Sequence, residues 1–321
     1  MSTGLPAGLA AQLERIAASV RACGLAVPGS PACPGPRTWR GARLGGRLPV
    51  VAVSTTGRTP AEAASHAAAA CAAGADVVEL RLDLLDAATG AGPVLGAEAG
   101  RRLAEGVWPA VQQVAAAVAT TRLPLLATLR TSAEGGGVEI DDDAYRALLS
   151  AVLAACSQDE AARQVVTALD VELARDCVSE LAALAGPGGI DVLASAHFFS
   201  SAPAEDEIVS VLERMETQGA QVAKVAVMPA SQDDVARLLR VAVRARGRLQ
   251  VPVIAIAMGE DGVISRLAGG VFGSALTFAT AGATASAPGQ LPVAQVRSAM
   301  EELEASEERA SAWSGSALEG R

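Results

Sequence analysis

The chain is predicted to fold as an α/β protein, a (β/α)8 TIM barrel with a single catalytic domain, on three observations. Eight short apolar runs alternate with longer alanine-rich helical patterns. Strands separated by helices pair in parallel through right-handed crossovers. The charged and polar residues of interest fall at the carboxyl ends of the runs, where such barrels build their sites. An open doubly wound sheet is the alternative reading of the same alternation. The length of 321 residues suits a barrel of about 250 with material left over at both ends.

Taken in order, residues 1–45 form an N-terminal extension. It holds a short amphipathic helix (Leu9, Leu13, Ile16, Val20) and the Pro/Gly-rich linker "VPGSPACPGPR". The barrel domain spans 46–301. Its strands are "PVVAVS" (49–54), "DVVELR" (76–81), "PLLATLR" (124–130), "VTALDVE" (166–172), "DVLASAH" (191–197), "QVAKVAV" (221–227), "PVIAIA" (252–257) and "GSALTFA" (273–279). Helices are expected over 60–73, 100–120, 143–156, 204–217 and 232–246. The stretch "DDDAYRALLSAVLAAC" shows why: acidic residues open it, and apolar residues follow at helical spacing. Residues 86–99, "DAATGAGPVLGAEA", read as a long loop. Residues 302–321 are acidic and then Ser/Gly/Ala-rich, and read as a disordered tail.

Composition excludes several roles. Hydrophobic residues make up 50% and aromatics 2%, so alanine, valine and leucine must fill a large core. A net charge of −9 argues against nucleic-acid or anionic-membrane partners, which need basic patches. No run of 18 residues lacks polar interruption, so no spanning helix is expected. The five cysteines show no C-x-x-C spacing, and the first residues lack the pattern of a secretory signal. Both point to reduced thiols in a cytoplasm. Two histidines without clustered partners do not suggest a zinc site, and nucleotide-binding glycine motifs are absent.

One residue stands apart. Lys224, in "QVAKVAVM", is the sole lysine beside 25 arginines, and it sits inside an apolar strand. A buried lysine is costly unless paired or neutral. Arginine keeps its proton, whereas lysine can lose it and become a nucleophile. Other strand ends carry Glu79, Arg81 and Asp83 ("ELRLD"), Arg130 and Glu134 ("TLRTSAEGGG"), His197 ("SAHFF"), Arg266 ("GVISRLAGG") and Ser286 with Gln290 ("SAPGQ"). Three arginines, a histidine, two glutamates and a lysine at one barrel mouth suit a small oxygen-rich anion. Each also has a plainer reading. Glu79 and Arg81 could form a structural ion pair, His197 could be a satisfied core histidine, and Ser286 to Gln290 an ordinary loop. His66 reads as a surface residue of a helix.

Together these motifs, in this order over residues 47–300, resemble type I 3-dehydroquinate dehydratase; "GVISRLAGGVFGSALTF" and "SAPGQ" are the most specific. The resemblance implies conversion of 3-dehydroquinate to 3-dehydroshikimate and water, without metal or organic cofactor, in a homodimer. It further implies that Lys224 forms an imine, His197 transfers protons and Glu134 orients His197. Arg266 would bind the substrate carboxylate with Ser286 and Gln290. Glu79, Arg81 and Arg130 would line the pocket toward the ring hydroxyls, and Ser54 falls where the family often has a pocket serine. The family commonly places aspartate after the histidine, where this chain has Phe198, and an apolar neighbour is expected to lower the histidine pKa. Another Schiff-base lyase or aldolase, or a barrel that binds without turnover, are the competing readings.

Overall fold

Eight parallel strands stand side by side in the computed structural model, which describes residues 35–46, 48–121, 123–282 and 285–318. They are β3 (Val50–Thr55), β4 (Val77–Arg81), β5 (Leu125–Thr128), β6 (Val166–Glu172), β7 (Asp191–Phe198), β8 (Val222–Val227), β9 (Val253–Ala257) and β10 (Leu276–Ala279). From β3 to β9 each pairs with the next in sequence, and β10 returns to β3. The remaining seam is joined at the Val253–Ser274 bridge. There Ala275 N donates to Val253 O at 2.8 Å. The Ser274 hydroxyl accepts from Ala255 N at 3.2 Å, a side chain standing in where the ladder is short. The expected barrel is therefore present, and the open sheet is not.

Several of the surrounding helices begin where a side chain satisfies free amides of the first turn. Thr59 and Glu62 make a capping box on α1 (Pro60–Ala72). After α2 (Asp86–Thr89) and α3 (Gly96–Val118), Asp141 caps α4 (Asp142–Gln158). Then follow α5 (Glu160–Val165), α6 (Val178–Ala185), α7 (Glu205–Thr217) and α8 (Gln232–Arg246), the last capped by Ser231. The chain closes with α9 (Val263–Ala268) and α10 (Val293–Leu318).

Three expectations need correction. Residues 86–99 are not a long loop: α2 and the start of α3 lie in it. Between them Val94 N donates to Glu139 O at 2.9 Å, so backbone pairing orders the segment. The segment read as a disordered tail from Glu302 continues α10 to Leu318, as its Glu, Ala and Leu content favours. Finally, the extension reaches into the barrel. Arg37–Trp39 (β1) and Ala42–Leu44 (β2) form an antiparallel hairpin at the end of the extension, where the Pro/Gly-rich stretch gives out. Its two turn residues, Arg40 and Gly41, both take positive φ, as a tight hairpin turn requires. The helix expected around Leu9 to Val20 lies outside the described residues.

That hairpin sets the floor of the barrel. Trp39 and Leu44 are buried in one cluster with the inward residues Val50, Ala52, Val77, Leu126, Ala168, Leu193, Val222, Ile254 and Leu276. Trp39 also donates its indole N–H to Asp191 at the start of β7, at 2.9 Å. With the hairpin packed against the amino end, the polar cavity lies toward the carboxyl ends of the strands.

Candidate active site

Strand alternation lifts the chemistry one layer above that apolar floor. Two residues beyond Val77, Leu126, Ala168, Leu193 and Val222 come Glu79, Thr128, Asp170, Ser195 and Lys224. All five are buried. One further step along brings Arg81, Arg130, Glu172 and His197. The cavity at this end is lined by all ten sequence-predicted residues: Ser54, Glu79, Arg81, Arg130, Glu134, His197, Lys224, Arg266, Ser286 and Gln290.

Lys224 is 5% exposed. Its Nζ lies 3.6 Å from Asp170 Oδ2 and 4.7 Å from the centre of the Phe278 ring. Burial lowers its pKa, Asp170 and Glu79 oppose the shift, and Arg130 and Arg81 add to it. The amine is thus held nearer to its neutral form than an exposed lysine.

His197 Nδ1 lies 2.7 Å from Glu134 Oε2. Burial, then the cationic charges of Arg130, Lys224 and Arg81, push the imidazole well below its ordinary pKa. Burial also pushes the Glu134 carboxyl up, to about 8, against the pull of Arg130. Both shifts disfavour a separated imidazolium and carboxylate and favour a single proton shared between the two sites. When that proton is on Nδ1, the other ring nitrogen is a free base. Phe198 packs against the outer core cluster. The histidine pKa is lowered, the direction expected beside an apolar neighbour, with burial as the first cause and the three cations after it.

The arginines divide. Arg81 gives two hydrogen bonds to Asp83, at 2.8 and 2.7 Å. Asp83 is fully buried and also accepts from the backbone of Arg130 and Gly137, so it clamps the loops rather than sharing the pocket face. Arg130 is surrounded: its guanidinium reaches Asp170 at 2.7 Å, Glu172 at 3.1 Å, Glu134 at 3.2 Å and Ser195 at 3.0 Å. Those three carboxylates outweigh the cost of burial and hold its pKa above the ordinary value.

Arg266 is different. It is 2% exposed, its terminal nitrogen donates to Pro288 O at 3.0 Å, and Nε has no hydrogen-bond partner. No carboxylate pairs with it among the described residues. Burial alone lowers its pKa to about 10, so it stays charged at neutral pH. A buried, unneutralised guanidinium in a cavity is a receptor for an anion. Beside it Gln290 donates to the Ser286 hydroxyl at 2.9 Å and accepts from Ser286 N at 3.0 Å, which shapes the adjoining loop. Glu79 accepts from the Ser54 hydroxyl and, at 2.9 Å, from Thr128 Oγ1. His66 is exposed on α1, as expected.

If Arg266 is the anchor, Arg266→Lys should raise KM about tenfold to a hundredfold, since hydrogen bonds to charged groups carry about 1.5–3 kcal/mol. A lysine there would also tend to lose its proton, lacking a counter-charge. Steady-state kinetics of the folded variant check this; an unchanged KM would exclude the role.

Sequence reasoning passed over Asp170, Glu172, Ser195, Phe278 and Phe199. A signal existed for the first two: in "TALDVE" the carboxylates are two apart on one strand face, as in "ELRLD". Phe199 lines the cavity from the loop after β7. A side chain on Gly135 would collide with its ring, and Gly135 itself has positive φ. The glycine triplet therefore makes room for an aromatic.

The family model for type I 3-dehydroquinase matches residues 51–307. A 3-dehydroquinate dehydratase of Lactiplantibacillus plantarum is 39% identical over 266 residues, covering 82% of this chain and 96% of that protein. One from Bacillus subtilis is 33% identical over 269 residues, covering 83% and 96%. Among solved structures, the 3-dehydroquinate dehydratase of Geobacillus kaustophilus superposes with a TM-score of 0.71 at 29% identity, covering 85% of this chain and 98% of its own. The type I enzyme of Clostridium difficile, solved with covalently modified comenic acid, gives 0.72 at 28% identity, covering 84% and 97%. With its barrel and its match across most of both chains, this protein belongs to the type I 3-dehydroquinate dehydratases, a family of hydro-lyases.

Proposed function

We propose that the chain dehydrates 3-dehydroquinate to 3-dehydroshikimate through a Schiff base on Lys224, with His197 as the proton shuttle and Glu134 as its orienting carboxylate. One observation carries this reading: a buried amine of lowered pKa shares a closed-floored cavity with a His–Glu pair and an unneutralised guanidinium.

Arg266 takes the substrate carboxylate, which places the ring ketone over Lys224. The neutral amine adds its lone pair to the ketone carbon. His197 protonates the resulting hydroxyl, which leaves as water, and an iminium remains. The base then removes the proton from the neighbouring carbon, and those electrons move toward the iminium nitrogen to give an enamine. The enamine returns them to form the new double bond as the hydroxyl one carbon further on departs, protonated by imidazolium. Water finally hydrolyses the conjugated iminium, releasing the enone and the free amine. The balance is one substrate to one product and one water.

Glu79, with Ser54 and Thr128 fixing its carboxylate, and Arg81 face the ring hydroxyls. Arg130 contributes through the carboxylates that it holds. A homodimer and a cytoplasmic location belong to the same reading. The latter is supported by the free thiols of Cys71, Cys156 and Cys177. No helix among the described residues is long and apolar enough to cross a membrane.

Purified protein should produce the enone absorbance from 3-dehydroquinate and should keep doing so in a chelator. Borohydride added during turnover should leave a reduced adduct on Lys224. Absence of both product and adduct would exclude the reading, whereas product without an adduct would point to a non-covalent route. Sedimentation of the same sample tests the dimer.

A further inference from the structure

Asp170 is fully buried and does not line the cavity. It sits on β6 between the two halves of the catalytic apparatus. Its Oδ1 is engaged twice: Arg130 pairs with it at 2.7 Å from the loop after β5, and Ser195 donates to it at 2.7 Å from β7. Its Oδ2 has no hydrogen-bond partner and lies 3.6 Å from Lys224 Nζ on β8. A carboxylate pinned by one oxygen and aimed by the other at an amine beyond hydrogen-bond reach is an odd way to build a structural ion pair. Such a pair would close the gap.

The chain of contacts does not stop at Arg130. From Lys224 the steps are 3.6 Å to Asp170, 2.7 Å to Arg130, 3.2 Å to Glu134 Oε2 and 2.7 Å to His197 Nδ1. The same Glu134 oxygen meets both the arginine and the histidine. Signs alternate along it: amine, carboxylate, guanidinium, carboxyl, imidazole. We infer that Asp170 is a positioning residue that couples the imine-forming amine to the proton shuttle through Arg130. It acts without touching substrate, and it sets how strongly Arg130 bears on Glu134.

The physics gives each direction. Asp170 supports a charge on Lys224, together with Glu79 on β4, while burial, Arg130 and Arg81 work against one. Asp170 also shares Arg130 with Glu172 on its own strand and with Glu134. Neutralising Asp170 removes the nearest support for the ammonium. It also frees Arg130 to pull harder on Glu134, and so favours the Glu134 carboxylate with the histidine proton on Nδ1. Holding the amine at a non-bonding distance suits a group that must be charged as an iminium and neutral as a nucleophile.

Asp170→Asn keeps the shape and the acceptor facing Arg130 and Ser195. Two measurements need no turnover. Acetic anhydride labelling against pH, located by peptide mass, reads Lys224 alone, because it is the sole lysine. Nitrogen NMR reads His197, with the other histidine, His66, assigned through His66→Gln. In Asp170→Asn the labelling midpoint of Lys224 should fall by about one pH unit. The His197 nitrogens should shift toward the Nδ1–H tautomer. Unmoved values for both in a folded variant would make Asp170 a structural residue only, and a moved lysine with an unmoved histidine would equally overturn the coupling. Should Asp170→Asn fail to fold, Asp170→Ser removes the same charge with a smaller polar side chain. It should move both readouts in the same directions, and no movement would be decisive against the inference. The inference rests on the Schiff-base reading only for its meaning. Borohydride trapping on the wild-type protein tests that reading separately, so the two can fail independently.

Discussion

Lys224→Arg should abolish turnover, by roughly 10⁶-fold on the scale that removal of a covalent nucleophile has in other enzymes. The substitution keeps a positive charge beside Asp170 and over the Phe278 ring, so a purely electrostatic role for Lys224 predicts a modest loss. A covalent role predicts near-total loss, because arginine has no amine that can become free. The result to look for is no enone and no borohydride adduct within the barrel, with circular dichroism as in the wild type. Since no other lysine exists, the N-terminal amine is the only other primary amine, and peptide mapping separates the two. Turnover within a few-fold of wild type, or an adduct on the barrel of the variant, would dismiss Lys224 as the nucleophile.

His197→Ala should lower kcat by about 10²–10⁴-fold, the usual contribution of a positioned acid or base. Here the adduct separates it from Lys224→Arg. The amine remains, so the imine still forms slowly, and intact-protein mass after borohydride should show the reduced species. Elimination and release then stall, for both need a proton moved by the missing imidazole. Removing Glu134 instead leaves the ring without its 2.7 Å partner. Glu134→Gln should therefore give a milder loss of the same kind. Full turnover in His197→Ala would show that another group shuttles the proton.

The legibility of this barrel in its sequence was uneven for physical reasons. All eight strands fall within a few residues of the segments read from β-branched runs, because burial between a packed interior and a helix layer demands apolar residues on both faces. The helices α1, α4 and α8 follow their caps and apolar spacing for the same local reasons, and α7 follows its apolar spacing and acidic first turn. The hairpin at Arg37–Leu44 was not legible. Its strands are three residues each, and only the barrel floor that receives Trp39 and Leu44 stabilises them. Nor did α2 announce itself, since four residues carry no periodicity.

What the sequence by itself determined is the inventory: one lysine, a strand to bury it in, and the polar residues at period-two positions that point them inward. Side-chain alternation is a property of the local backbone, so it needs no fold to be read. What only the tertiary structure decided is partnership. Arg81, Arg130 and Arg266 look alike in sequence, yet one is clamped by Asp83, one is shared among three carboxylates and one has no counter-charge among the described residues. Asp170 shares a strand face with Glu172 in the sequence, but its partners appear only when β6 is set beside β7 and a few ångströms from Lys224. Charge interactions act through space and depend on burial, and closure of the barrel is what supplies both.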